Sequence, residues 1–112
     1  MSVAAYGRVQ NVAESPRQIE FRLLGQVTGA MLAAKDAPDR RGLFDAVLWN
    51  QQVWNTFLVD LTSGANRLPD ALRGRLVSIA LWVNRETDAV VSGKADVETL
   101  VTVNRTIMDG LR

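Results

Sequence analysis

The chain contains no cysteine and no histidine. The first absence excludes disulfides and thiolate chemistry, and the second removes the side chain that most often serves as a neutral-pH base or transition-metal ligand. Ser and Thr hydroxyls therefore lack their usual activating partner, and a Ser–Lys pair would have to draw on Lys35 or Lys94, both expected at exposed helix ends. Net charge is nearly absent as well. Thirteen basic residues against 12 acidic ones leave +1, which gives no bulk attraction to nucleic acid or anionic lipid. No apolar run approaches the roughly 18 residues a membrane span needs, and the opening MSVAAYGRVQNVAES has no long apolar stretch of the secretory kind. A cytoplasmic location is the expectation. Strand-like alternation, internal repeats and low-complexity tracts are also missing, so a sheet, a solenoid and a disordered linker all lack support.

The remaining polar groups do not assemble a reaction. Glu86 with Asp88 and Asp96 with Glu98 stand two residues apart, which turns them to different helical faces, and the second pair sits at a helix start. Gly25 and Gly29 lie within a helical stretch, with no preceding strand and no Lys-Ser/Thr after them, so they do not form a phosphate loop. Arg40, Arg41, Arg73, Arg75 and Arg85 are not interleaved with aromatic residues, and Arg73 and Arg75 point about 200° apart on a helix. These absences point to a protein that is not an enzyme, takes no cofactor or metal, and makes no direct nucleic-acid contact.

What the sequence does have is apolar periodicity. Hydrophobic residues make up 47% of 112 positions, enough for one small domain with a core. The strongest stretch is Leu43 to Leu61, LFDAVLWNQQVWNTFLVDL. At 100° per residue Leu43, Val47, Asn50, Trp54, Phe57, Leu58 and Leu61 share one stripe, opposite Asp45, Gln52, Thr56 and Asp60. Before it, Ser15-Pro16-Arg17-Gln18 carries a capping box with proline in the first turn. It opens a helix over 16–35 whose inward face reads Ile19, Leu23, Val27, Ala30, Met31 and Ala34. Asp36-Ala37-Pro38-Asp39 breaks the chain, Asp39 caps the central helix over 40–63, and Ser63-Gly64 stops it.

A third helix is expected over 69–92, from Pro69 to a stop at Gly93, with Leu72, Leu76, Ile79, Ala80, Val83 and Val90 inward. Asp96 caps the last, 96–110, whose stripe is Val97, Leu100, Val101, Asn104, Met108 and Leu111. Short connections favour antiparallel neighbours. Residues 1–14, with Val3, Ala4, Tyr6, Val9 and Val12 irregularly spaced and broken by Gly7, read as an N-terminal arm. The predicted architecture is an all-α, single-domain antiparallel bundle of four helices over 15–112, preceded by that arm.

Two kinds of residue stand out as candidates for contact with a partner. Trp54 lies on the central stripe and belongs to the core, whereas Trp49 falls at the border of the polar face and Trp82 between the inward stripe and Glu86. Val77 and Leu81 lie on the flank away from Leu72 and Leu76. These side chains either complete a second buried side or form a surface that something covers. Asn50 and Asn104 each put an amide in the middle of an apolar stripe. Such amides either bond to one another or to backbone inside the bundle, or pair with a partner outside it, because an unpaired buried amide costs about 1–3 kcal/mol. The candidate partner-binding set is Trp49, Asn50, Val77, Leu81, Trp82 and Asn104.

One ordered set of residues carries a resemblance. Ala5-Tyr6, Ser15-Pro16-Arg17 with Glu20, Ala46 with Asn50 and Trp54, Leu68-Pro69 with Leu72-Arg73, Trp82-Val83, and Asn104-Arg105 with Gly110-Leu111 follow one another as in the FlaF family. The chain resembles that family over nearly its whole length. It departs from it in having Asn50-Gln51 and Val53-Trp54 where Asn-Arg and Leu-Trp are expected, which removes a basic group from the central helix. The resemblance implies a flagellar biosynthesis regulator of alpha-proteobacterial type. Such a protein binds newly made flagellin and supports its synthesis, secretion and filament assembly, often alongside FlbT. The alternative it implies is a regulator of flagellin mRNA translation that acts with FlbT through protein contacts.

Overall fold

The computed structural model describes residues 15–111. Four helices fill them: α1 (Pro16–Ala34), α2 (Arg40–Leu61), α3 (Asp70–Val91) and α4 (Glu98–Leu111). No strand occurs among the described residues, so the expected all-α fold is found. The expected arm, residues 1–14, lies outside them.

The helix ends follow the local chemistry. Ser15 Oγ accepts the Gln18 backbone N–H at 3.1 Å, and Gln18 Oε1 accepts the Ser15 N–H at 2.8 Å, closing the capping box. Asp39 accepts the Arg41 N–H at 2.9 Å, and Asp96 the Glu98 N–H at 2.9 Å. Asp70 in the first turn of α3 pairs with Arg73 at 2.8 Å. After α3 the chain reverses through Gly93 at φ +77°, a left-handed position that a side chain would strain. The boundaries differ slightly from expectation: α2 ends at Leu61 with Thr62 as its cap, α4 starts two residues later than predicted, and it runs through Gly110.

Packing is uneven around the bundle. Helix α1 lies along both α2 and α4, and α2 along α3, but α3 and α4 scarcely approach each other. The core between them is Leu24, Val27, Met31, Leu43, Val47, Trp54, Ala80, Val83, Val90, Leu100 and Val101. Trp54 is 1% exposed, as its stripe predicts, and meets Phe57 edge to face with centroids 5.7 Å apart.

On α1 the buried face is Leu24, Val27, Thr28 and Met31, with Leu23 and Ala30 only half-buried. The expected face centred on Leu23 is thus rotated. The reason is that α1 has two neighbours: Leu24 and Thr28 lie between them, and Leu23 on one flank. Leu72, expected inward, is 43% exposed, because α4 ends before it can cover that part of α3.

Candidate partner-binding surface

Asn50 and Asn104 are both fully buried. Asn104 Nδ2 donates to Asn50 Oδ1 at 2.7 Å and to Thr28 Oγ1 at 3.0 Å, while Asn104 Oδ1 accepts the Trp54 indole N–H at 2.9 Å. One amide of α4 therefore ties α1 and α2 together at the centre of the core. Of the two readings open for these asparagines, the structure takes the internal one: they bond to each other, and neither presents an atom to solvent. Asn50 Nδ2 is buried and finds no partner among the described residues. Leaving such a donor unpaired costs about 1–3 kcal/mol.

The other four candidates fall on three separate faces. Trp49, 40% exposed, follows Gly42 and Ala46 along the side of α2 that faces α1, where a Cβ on Gly42 would sit 3.8 Å from the Ala34 methyl. Val77 and Leu81 precede Asn84 on the side of α3 that faces α2. Asn84 accepts from Gln51 at 2.9 Å and donates to Asn55 at 3.1 Å, a ladder of amides that closes the α2–α3 seam from outside. Leu81 stays 45% exposed beside it.

Trp82 faces the remaining seam, between α3 and α4. There the Thr99 hydroxyl donates to the Glu86 carboxylate and joins the two helices near one end. Past that tie a cavity of about 300 Å³ opens, lined by Ser78, Ile79 and Trp82 from α3 and Val103, Thr106 and Ile107 from α4. Its apolar members are all half-buried. They pack on the core from one side and leave the other side open. The sequence reading found Trp82 and missed Val103 and Ile107. The signal was present: an apolar pair four residues apart on α4, off the stripe that begins at Val97.

A second depression, about 260 Å³, lies at the end where the α1–α2 and α3–α4 connections meet, among Lys35, Asp36, Arg40, Leu43, Val90 and Asp96. Its charges answer one another. The Lys35 ammonium is bonded to the Glu98 carboxylate, and that bond holds the lysine pKa above its ordinary value. Arg40 stacks its guanidinium over Phe44, 5.4 Å from the ring centre. Glu20, at the opposite end, has its pKa raised by burial and by the nearby Asp60 carboxylate, with Arg17 working against the shift. Among the described residues no group of three or more acidic side chains could hold a metal ion, and no helix is long and apolar enough to cross a membrane.

The α3–α4 seam thus carries an apolar groove lined by side chains of two helices. No curated protein and no solved structure matches the chain. The family model described as flagellar protein FlaF matches residues 2–111, essentially the whole length. On that match the chain belongs to the FlaF family of flagellar proteins.

Proposed function

We propose that the protein binds newly made flagellin and supports its synthesis, secretion and filament assembly without catalysing a reaction, by taking an amphipathic helix of the subunit into the α3–α4 groove. The observation that carries this is the groove itself, with Ile79, Trp82, Val103 and Ile107 half-buried and turned to one opening in a chain of a flagellar family. A helix lays apolar anchors at i, i+3 or i+4 and i+7 into such a groove, and Ser78 and Thr106 at its rim suit the polar edge of that helix. Exposed Trp49 and Leu81 extend apolar surface on other faces and are secondary contacts in this reading.

The test is titration of the purified chain with purified flagellin, followed by calorimetry. Trp82→Ala should weaken binding by about thirtyfold, since truncating an aromatic anchor costs roughly 2 kcal/mol. Unchanged affinity in a folded variant would overturn the groove as the site. If the intact chain instead captures FlbT from cells and Trp82→Ala loses it, the reading moves to translational control of flagellin mRNA through protein contacts.

A further inference from the structure

The α3–α4 groove lies where the bundle carries positive charge and no negative charge to answer it. Residues 74–85 of α3 and 99–108 of α4 contain Arg75, Arg85 and Arg105 and no carboxylate, in a chain whose net charge is only +1. Helical geometry sorts the three arginines. At 100° per residue Arg75 lies within about 20° of Trp82 and Arg85 within about 60°, whereas Arg105 lies about 160° from Val103, on the far side of α4. With Thr99 beside Glu86 and the two helices running in opposite directions, Arg85 stands level with Leu100 and Arg75 level with Gly110. The cavity lined by Ser78, Trp82, Val103 and Ile107 lies between those levels. A guanidinium therefore brackets each end of the groove.

Both arginines are exposed, and neither forms an ion pair among the described residues. Arg73 makes the contrast, since Asp70 holds it at 2.8 Å. No residue three or four places from Arg75 is acidic, and Asp88, three places after Arg85, is not bonded to it. Glu86 does share this face of α3, but the Thr99 hydroxyl donates to it. An exposed guanidinium beside an apolar surface is well solvated in the free protein while its stem covers apolar area. It selects what can dock. A basic or uncharged helix would strip water from it and give nothing back, whereas a carboxylate pairs with it and steers the approach.

We propose that the groove takes an acidic amphipathic helix, whose apolar stripe packs between Trp82 and Ile107 and whose two carboxylates, at the ends of that stripe, pair with Arg75 and Arg85. This deepens the reading above and rests on it for the identity of the partner. The spacing comes from the groove itself. Arg75 and Arg85 are ten residues apart, about 15 Å along α3, and in a helix laid along them carboxylates about eleven residues apart share one face at roughly 16 Å. A second copy of this chain does not supply the pattern. Two carboxylates at that separation occur within one of its helices only as Glu98 and Asp109 of α4; Glu98 is bonded to Lys35 and Asp109 has an interaction of its own.

The test uses the full chain and a stapled helical peptide with leucines four and seven residues after a first glutamate and a second glutamate about eleven after it. The control is the same peptide with lysine in place of both glutamates. In low salt the glutamate peptide should bind at least about tenfold tighter, and the gap should narrow as salt rises, because exposed pairs are screened. Arg75→Glu with Arg85→Glu should reverse the order, and with both positions exposed its melting temperature should stay close to that of the parent. Binding by neither peptide, equal binding, an order that does not reverse, or an affinity untouched by Trp82→Ala would each overturn the proposal. Self-association abolished by the double variant would do so as well, by making a second copy the occupant. Purified flagellin gives the second measurement: Arg75→Gln with Arg85→Gln should weaken its binding about fivefold. Flagellin binding that needs Trp82 and ignores both arginines would keep the groove as its site and end the acidic partner. A chain that sorts the peptides by charge and binds no flagellin would keep the acidic partner and end the flagellin reading.

Discussion

The two sides of α4 are built on opposite terms. Toward α1 and α2 it is closed by Asn104, whose single amide serves Thr28, Asn50 and Trp54 at 3.0, 2.7 and 2.9 Å. Toward α3 it meets its neighbour through the Thr99–Glu86 bond and otherwise faces the cavity with Val103 and Ile107. Buried polar groups must find their partners within hydrogen-bond distance, so an amide cluster admits one register and one spacing of the helices around it. Apolar side chains impose no such geometry and tolerate an open neighbour. The difference teaches that α4 is positioned through the face that carries Leu100, Val101 and Asn104, which leaves its α3-facing side open.

The comparison is broken most severely at its closed side. Trp54→Ala should cost about 3–5 kcal/mol in denaturant unfolding, because it empties the core centre and leaves Asn104 Oδ1 without its donor. Asn104→Leu, similar in volume, should cost about 2–3 kcal/mol by orphaning the indole N–H and the Asn50 carbonyl. Asn50→Leu should cost less than Asn104→Leu, since it removes an already unpaired donor along with one accepted bond. Equal losses for the two leucine variants would show that the network has no hub.

On the open side the signs differ. Trp82→Ala should reduce flagellin affinity by about thirtyfold while lowering stability less than Trp54→Ala does, and Trp49→Ala should weaken binding less than Trp82→Ala. Large stability losses with unchanged affinity would make Trp82 a core residue after all.

The smallest effect concerns Glu20, near the start of α1. Its pKa is raised above the ordinary 4.5 by burial first and by Asp60 second, so the folded chain holds that proton more tightly than the unfolded chain. Stability from this group is therefore present when the carboxyl is protonated and is lost as pH rises from about 4.5 through the raised folded value. Glu20→Gln should raise the melting temperature slightly at pH 7 and lose that advantage near pH 4. A gain that persists undiminished in acid would assign it to something other than this titration.

The sequence by itself determined the elements and their ends. Ser15 with Gln18, Asp39, Asp96 and Gly93 act through bonds to backbone a few residues away, and a 3.6-residue apolar period specifies a helix whatever packs on it. It also placed Trp54 in the core, because that stripe is wide and continuous, and marked Trp82 as lying off one. Only the tertiary structure decided that Asn50 and Asn104 bond to each other, since that pairing joins residues 54 positions apart, and no local rule sets their distance. It also decided that Leu24 rather than Leu23 is buried, because the centre of an apolar face depends on how many neighbours the helix has. The groove is of the same kind. Val103 and Ile107 are simply apolar along the chain, and they become a surface because α4 is anchored elsewhere and stands away from α3.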